Sequence, residues 1–454
     1  MSEEGISGYR NPGDIDVRKF TLVSASGQII DLQSLVVDFS VYQSIFEHYI
    51  QCDLVLNDSV GLINTLRGDK DNNIQGGFTG GEVLIVSYRS NDESLKYKNH
   101  FFSLYELTDR KRIEERSEAY FLSGISVEAY PAMSNKICRA YGGKAGNIIS
   151  KMVSSIVDEY VYNENIKALH YNYRETAGFR QIKTKDIDET IGLQKYIIPN
   201  LTVDDTIDFL AKESDSPDHI PYYMFYENSS GFNFKNLSNL IKQDVKETFT
   251  YLPSNVAEGK NTAQDENFDR TKIIMFDVIK QSNLVDNMQA GLYRSKTIHL
   301  DLLRKSKREV IFDYDAYAPK YSKLQPYKIP GKIDSIPLVR MLTTRTGHDT
   351  DPFFAKEAPV PKKYGEVIAQ SDSYETHIFN TIVEVTIPGD SELDAGDIIY
   401  LSIPSAATTK DQDGDEDKYL SGKYLITKLR HKMLDGNDSF TTILECAKDT
   451  GTKI

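Results

Sequence analysis

The sequence predicts an α+β protein, mainly β, with two β regions flanking an α/β unit. Three observations carry that class. Apolar and polar residues alternate with period two towards both ends of the chain, the period becomes helical between Ile148 and Tyr160, and prolines crowd the stretch from Ala318 to Lys363. The 454 residues suffice for three domains of roughly 150 residues each.

Over the first 130 residues the alternation in Val37-Asp38-Phe39-Ser40-Val41 and in Ile50-Gln51-Cys52-Asp53-Leu54 marks half-buried strands. Further strands are expected at Glu82 to Tyr88, Phe101 to Leu107 and Tyr120 to Val127, separated by turn-forming runs around Gly27, Gly68 and Asn91. A short helix interrupts them, capped by Asp58 or Ser59, with Leu62, Ile63 and Leu66 facing inward.

After Pro131 the apolar positions Ile148, Ile149, Met152, Val153, Ile156, Val157 and Tyr160 fall on one helical face. Gly142-Gly143 is expected to separate this helix from a shorter one before it. A second helix follows Pro199 with Thr202 as its cap and Ile207, Phe209 and Leu210 as apolar surface. Strands at Tyr222 to Tyr226 and Phe232 to Phe234 flank the turn Asn228-Ser229-Ser230-Gly231, and Leu237, Leu240 and Ile241 follow.

The polar stretch from Tyr251 to Phe268 reads as a loop. Strand patterns return at Thr271 to Ile279, Thr297 to Leu302 and Glu309 to Asp313. Seven prolines between Pro319 and Pro361 argue against long helices there and suggest an extended arm or irregular insertion. Strands then resume at Thr381 to Ile387, Asp397 to Ile403, Lys423 to Leu429 and Phe440 to Ala447. The chain therefore divides into 1–130 (first β region), 131–250 (α/β unit), 251–317 (opening of the second β region), 318–369 (Pro-rich insertion or arm) and 370–454 (remainder of the second β region). No internal repeat is convincing; Leu122-Ser123-Gly124 and Leu420-Ser421-Gly422 match over three residues only.

A search for chemistry returns negatives. Gly76-Gly77-Phe78-Thr79-Gly80-Gly81 lacks the Lys-Ser or Lys-Thr of a phosphate loop and leads into a strand, so a flexible hairpin loop is expected. Asp411 to Asp417 and Asp69 to Asn73 resemble calcium loops, yet both lack the turn glycine and the bidentate glutamate. Eight scattered histidines show no zinc spacing, and His377 and His431 are expected to be structural. No G-x-S-x-G elbow is present, and 67 carboxylates make any nominated acid pair meaningless. The chain does not look like an enzyme: no catalytic, cofactor-binding or metal-binding residue is nominated, and no cofactor is expected.

A net charge of −14 argues against wholesale nucleic-acid binding, which needs a basic stripe. The basic clusters Arg110-Lys111-Arg112 and Arg304 to Arg308 read as solvated turns. Cys52, Cys138 and Cys446 form no paired framework and are expected to be reduced, mostly buried thiols. No apolar run approaches the ~18 residues of a membrane span. The polar start from Met1 to Asn11 argues against a secretory signal.

One resemblance runs along most of the chain. The run Asp31 to Phe46 followed by Cys52-Asp53-Leu54-Val55-Leu56-Asn57-Asp58, the Ile198-Pro199-Asn200-Leu201-Thr202 lead into a helix, and Tyr226-Glu227-Asn228-Ser229-Ser230-Gly231-Phe232-Asn233-Phe234 resemble the baseplate hub protein of contractile-tailed bacteriophages. Gly396-Asp397-Ile398-Ile399, Leu420 to Tyr424 and His431 are similar to that family's last barrel. The resemblance implies two tail-tube-like β-barrel domains with the α/β domain outside. It implies a homotrimer whose six barrels form a pseudo-sixfold ring between a tail tube protein and a central spike protein. Other baseplate subunits are implied as partners too, with DNA or a tape-measure protein passing through the lumen without sequence-specific binding. The implied location is the virion tail baseplate, assembled in the host cytoplasm. The end at Ile454, soon after the last strand, favours a separate spike over a fused one. The alternatives are the hub of a type VI secretion-like injection machine and, from a different class, a tail-associated cell-wall or polysaccharide hydrolase. A carbohydrate-binding β module is a further rival, though no Trp is present to form a sugar platform. The Pro-rich stretch has no counterpart in the family.

Overall fold

The fold is seen in a computed structural model that describes residues 13–24, 28–66, 77–90, 94–115, 117–155, 184–191, 194–218, 220–251, 270–301, 305–325, 335–343, 364–405, 416–434 and 439–449. It is α+β and mainly β, as expected.

The first β region supplies β1 (Ile15–Val23), β2 (Ile29–Asp31), β3 (Val36–Ser44), β4 (Gln51–Asp58), α1 (Leu62–Thr65), β5 (Val83–Ser90), β6 (Lys98–Glu114) and β7 (Ser117–Ser126). Period-two alternation is the cause: Phe39, Val41, Leu54, Leu56, Leu84, Val86, Phe102, Leu104 and Leu122 all enter one core. Asp58 starts α1, its carboxylate accepting from the N–H groups of Val60 (3.0 Å) and Leu62 (2.6 Å). Strand β1 was not anticipated, because a bulge between Val17 and Lys19 breaks its alternation. Arg110, Lys111 and Arg112, expected in a solvated turn, instead continue β6. There the ladder to β7 pairs one edge of the backbone although no apolar face is buried, with register shifts and Asp109 at φ 49 absorbing the irregularity.

The α/β unit comprises α2 (Ala129–Ser134), β8 (Lys136–Gly143), α3 (Ala145–Ser155), β9 (Thr184–Ile187), β10 (Gln194–Thr202), α4 (Val203–Glu213), β11 (Tyr223–Asn228), β12 (Gly231–Asn236) and α5 (Leu237–Ile241). Thr202 caps α4, its hydroxyl accepting from the Asp205 N–H at 3.1 Å. The residues just before Gly142-Gly143, expected to be helical, form β8 and pair with β10. Ile148, Ile149, Met152 and Val153 face the core as expected, whereas Ile156, Val157 and Tyr160 lie outside the described residues.

The remaining elements are β13 (Glu247–Tyr251), β14 (Lys272–Ile273), β15 (Met275–Gln281), α6 (Leu284–Gln289), β16 (Arg294–Asp301), β17 (Ser306–Asp313), α7 (Tyr314–Tyr317), β18 (Leu338–Thr343), α8 (Tyr364–Ile378), β19 (Thr381–Pro388), β20 (Ile398–Ser402), β21 (Gly422–Leu434) and β22 (Ser439–Lys448). Of the span 251–317, β14 and β15 enter the large sheet, while β16 and β17 pair with β18 in a separate three-stranded sheet. The start of the Pro-rich stretch is no extended arm. Ala318, Tyr321 and Leu324 are buried, and the Asp449 carboxylate accepts from the N–H groups of Leu324 (2.9 Å) and Gln325 (3.1 Å). Helix α8 begins within 318–369, whereas 326–334 and 344–363 lie outside the described residues.

The two β regions share a pattern of neighbours. In the first, ladders link β1–β2, β3–β4, β4–β7, β7–β6, β6–β5 and β5–β1, and β2 with β3 forms one chain run, so the circuit returns to its start. In the second they link β13–β14, β15–β19, β19–β22, β22–β21, β21–β20 and β20–β13, with β14 and β15 again one run. In chain order the six runs of each region meet the same neighbours. One difference is that β13 is parallel to its two partners where β1 is antiparallel. Neither circuit is a barrel of uninterrupted strands, because residues 32–35 and Ile274 break the second run of each. The repeat lies in strand order alone, which is why no residue pattern revealed it. Leu122–Gly124 lies in β7 and Leu420–Gly422 at the entry to β21, which hold different places in the two circuits.

The regions join edge to edge. Asp38–Ser44 of β3 runs antiparallel to Lys428–Leu434 of β21, fusing the strands into one fourteen-stranded sheet among the described residues. The adjoining ends of β21 and β22 also cross over, placing Met433 and Phe440 in the first region's core.

Candidate assembly junction and strand edges

Both histidines that sequence reasoning weighed for chemistry are packed into structure. The His431 imidazole is fully buried, its Nδ1 3.0 Å from the Thr442 hydroxyl, and burial pushes its pKa down to about 4 against the opposing pull of Asp394 and Asp390. His377 is likewise buried beside Tyr314 (3.0 Å) and pushed down to about 3 by burial, while its Nε2, 3.8 Å from the Asp449 carboxylate, has no hydrogen-bond partner among the described residues. Among the described residues no group of three or more His, Cys, Asp or Glu is placed to hold a metal ion. The Asp411–Asp417 and Asp69–Asn73 loops fall largely or wholly outside those residues. Cys52 and Cys446 are buried free thiols, and Cys138 is exposed.

A buried histidine held neutral makes stability fall with acidification. Its folded pKa lies below the unfolded value of about 6.5, so its contribution is complete above pH 6.5 and is lost as pH falls towards 4. Between pH 7 and 5 the expected loss from His431 is about 2 kcal/mol. Urea unfolding of wild type and His431→Gln at both pH values measures it: the variant should lose correspondingly less, and equal losses would contradict the assignment.

The glycine-rich loop is an anion nest already filled by the chain's own carboxylate. Glu82, fully buried, accepts from the N–H and hydroxyl of Thr79 (2.9 and 3.0 Å) and from the N–H groups of Gly80 (2.9 Å) and Gly81 (3.1 Å). The loop is thus ordered by Glu82 rather than a flexible hairpin, and Gly80 at φ 81 supplies the backbone turn.

The most concentrated polar chemistry lies where the α/β unit meets both β regions. Asp394, only 7% exposed, accepts from Gln43 Nε2 of β3 (3.0 Å) and from the Ser229 hydroxyl in the β11–β12 turn (2.6 Å). Lys98 of β6 donates to the Ser229 hydroxyl (2.8 Å) and lies 3.6 Å from the Asp394 carboxylate. Gln43 Oε1 in turn accepts from the Ala395 N–H (3.0 Å). Nearby, Ser90 and Ser391 exchange backbone-to-hydroxyl bonds at 2.9 and 2.8 Å. Asp397 accepts from Lys246 (2.7 Å) and from the Asp394 N–H (2.8 Å); burial raises the Asp397 pKa, opposed by Lys246. These bonds fix the mutual orientation of three units, with Asp394 and Gln43 buried and Lys98 and Lys246 partly open to solvent. Sequence reasoning missed them, because Gly389-Asp390-Ser391-Glu392 reads as an ordinary polar turn. Their burial follows only from contacts between residues 131 to 352 positions apart.

Apolar side chains are nonetheless exposed on several strands. On β15, Met275 is 55% and Ile279 56% exposed; on β6, Ile113 is 58% exposed. Ile311, Val339 and Met341 are exposed on the three-stranded sheet. Among the described residues no helix is long and apolar enough to cross a membrane.

No known family profile matches the chain. Over 436 residues it is 21% identical to a protein of Vibrio phage KVP40 named "Probable baseplate hub protein gp334", covering 93% of this chain and 92% of that one. Its fold is similar to that of the 43 kDa tail protein of prophage MuSo2 from Shewanella oneidensis, with a TM-score of 0.51 at 9% identity, covering 95% of this chain and 98% of that one. A tail protein from Neisseria meningitidis MC58 aligns with a TM-score of 0.49 at 8% identity, covering 95% and 96% of the two chains. Over nearly its whole length, then, this chain resembles a phage baseplate hub protein in sequence and a prophage tail protein in fold.

Proposed function

We propose that the chain is the structural hub of a phage-type tail baseplate. Three copies close into a ring of six tube-like β units, which joins a sixfold tail tube to a threefold central spike and leaves a channel for DNA or tape-measure protein. The observation that carries this reading is the repeated ladder circuit: two β units of like connectivity, fused side by side, let a threefold ring offer six near-equivalent faces. On this reading the two circuits are the barrels, the α/β unit from about residue 131 packs outside them, and the segment between β15 and β19 is an insertion in the second. The buried polar junction supports a rigid, load-transmitting role, and no catalytic step is assigned. The net charge of −14 suits a passage for nucleic acid, since carboxylates facing a lumen would repel phosphates instead of holding them.

Electron microscopy of the purified chain, alone and mixed with spike and tube proteins, tests the proposal. A threefold ring with six lobes around an open channel is expected. Compact monomers in every mixture would overturn it and redirect attention to hydrolase assays on cell wall and polysaccharide.

A further inference from the structure

We infer that adjacent copies join through the open edge of β15 in one chain and the outer half of β6 in the next, repeating between chains the β3–β21 seam found within each. This rests on the hub reading, and it follows from matching the two circuits run by run. In chain order β3 and β15 close the second run of their circuits, and β6 and β21 are the fifth. The intrachain seam forms because β21 outruns its neighbour: residues 422–425 pair with β20, and Lys428–Leu434 continue past it along the same edge to meet β3. Strand β6 is built alike. Its residues 98–103 pair with β5, and it runs on to Glu114 with no strand on that edge beyond Leu104 among the described residues. Strand β15 matches β3 in the same way, pairing with β19 on one side and with no strand on the other side from Met275 onward among the described residues. The first unit of one copy and the second unit of the next thus hold the two halves of a seam already seen once.

The side chains agree. In the existing seam β21 contributes Lys428, Arg430 and Lys432; Lys432 lies 3.5 Å from Asp38, and Arg430 donates to Ser40 at 3.0 Å. The outer half of β6 carries Arg110, Lys111 and Arg112 among Glu106, Asp109 and Glu114, with Arg110 paired to Glu118 at 2.6 Å, and β15 carries Asp277 as its third residue, just as Asp38 is the third residue of β3. Basic residues alone are a common protection of an open edge. The exposed Met275, Val278 and Ile279 on β15 are the opposite of protection, and they lie near the only acidic residue of that strand. An edge-to-edge seam of this kind is head-to-tail, so it closes into a ring only at a fixed copy number.

Disulfide trapping decides it. In a Cys138→Ser background, Ile113→Cys is combined in turn with Asp277→Cys and with Val278→Cys, neighbouring residues on opposite faces of β15. On mild oxidation at least one pair should give covalent dimers and closed trimers, while each single variant stays uncross-linked. Independently, Asp277→Lys should weaken trimer formation at least tenfold by light scattering, and adding Arg112→Glu should restore it. Threefold assemblies that cross-link in neither pair and ignore the charge reversal would overturn this seam and leave the hub reading standing. Monomers in every mixture with spike and tube proteins would overturn the hub reading, and the seam with it.

Discussion

Asp394→Ala is expected to uncouple the α/β unit from the two β regions and to cost about 3–5 kcal/mol, the range for removing one partner of a buried, hydrogen-bonded charge pair. The carboxylate takes bonds from Gln43 and Ser229 and faces Lys98, so its removal leaves donors from the first β region and the α/β unit without their acceptor in the second β region. Water entering the space recovers part of the loss at the Lys98 end, which is the more open side. Asp394→Asn keeps one acceptor oxygen but loses the charge, so it should fall between the two. Calorimetry distinguishes a local effect from an uncoupling: wild type should unfold with the α/β unit and β regions linked, and the alanine variant should show an earlier separate transition. An unshifted thermogram would mean that the junction is neutral to stability. The same variant should form rings poorly, because six lobes can be evenly spaced only if the two β units keep a fixed angle.

The second large effect is steric. A Cβ placed on Gly389 would lie 2.0 Å from Cδ1 of Phe440, far inside contact distance. The Gly389 N–H also donates to the Phe440 carbonyl at 2.9 Å, so backbone and ring cannot both withdraw. Phe440 is the side chain that the β21–β22 hairpin inserts into the first region's core. Gly389→Ala should therefore cost at least the upper end of the overpacking range, about 3 kcal/mol, by forcing that ring out of its site. Phe440→Ala alone should cost about 3–5 kcal/mol through its cavity. The double variant is the decisive measurement. With the ring gone the added methyl has room, so the two costs should fall well short of additivity in denaturant unfolding. Strict additivity would show that the clash is relieved elsewhere.

Local chemistry was legible wherever one residue's neighbours in sequence decide its environment. Val383, Val385 and Ile387 alternate with polar residues and are buried as strand β19. Thr202 caps α4, and Asp58 accepts from the first N–H of α1 although Gly61 holds the cap position, because a short side-chain acceptor next to free N–H groups needs no distant partner. Reading failed where a distant ladder overrides the local pattern. Residues 136–143 become a strand because β10 pairs with them, and Arg110–Arg112 extend a strand because β7 runs alongside. The glycine-rich run was read as a flexible hairpin loop, and Glu82, which its N–H groups hold, stood one residue beyond it unnoticed.

By itself, then, the sequence determined the class of the fold, the positions of most strands and helices, and the resemblance to phage hub proteins, since these rest on periodicity, capping and short runs of residues. Tertiary structure alone decided that the two β regions share a circuit of neighbours, that β3 and β21 fuse them, and that Asp394 locks the α/β unit onto both. Strand order and edge pairing are set by which backbones come together in space, and many side-chain sequences satisfy the same ladder. A repeat of connectivity therefore survives where no repeat of residues does.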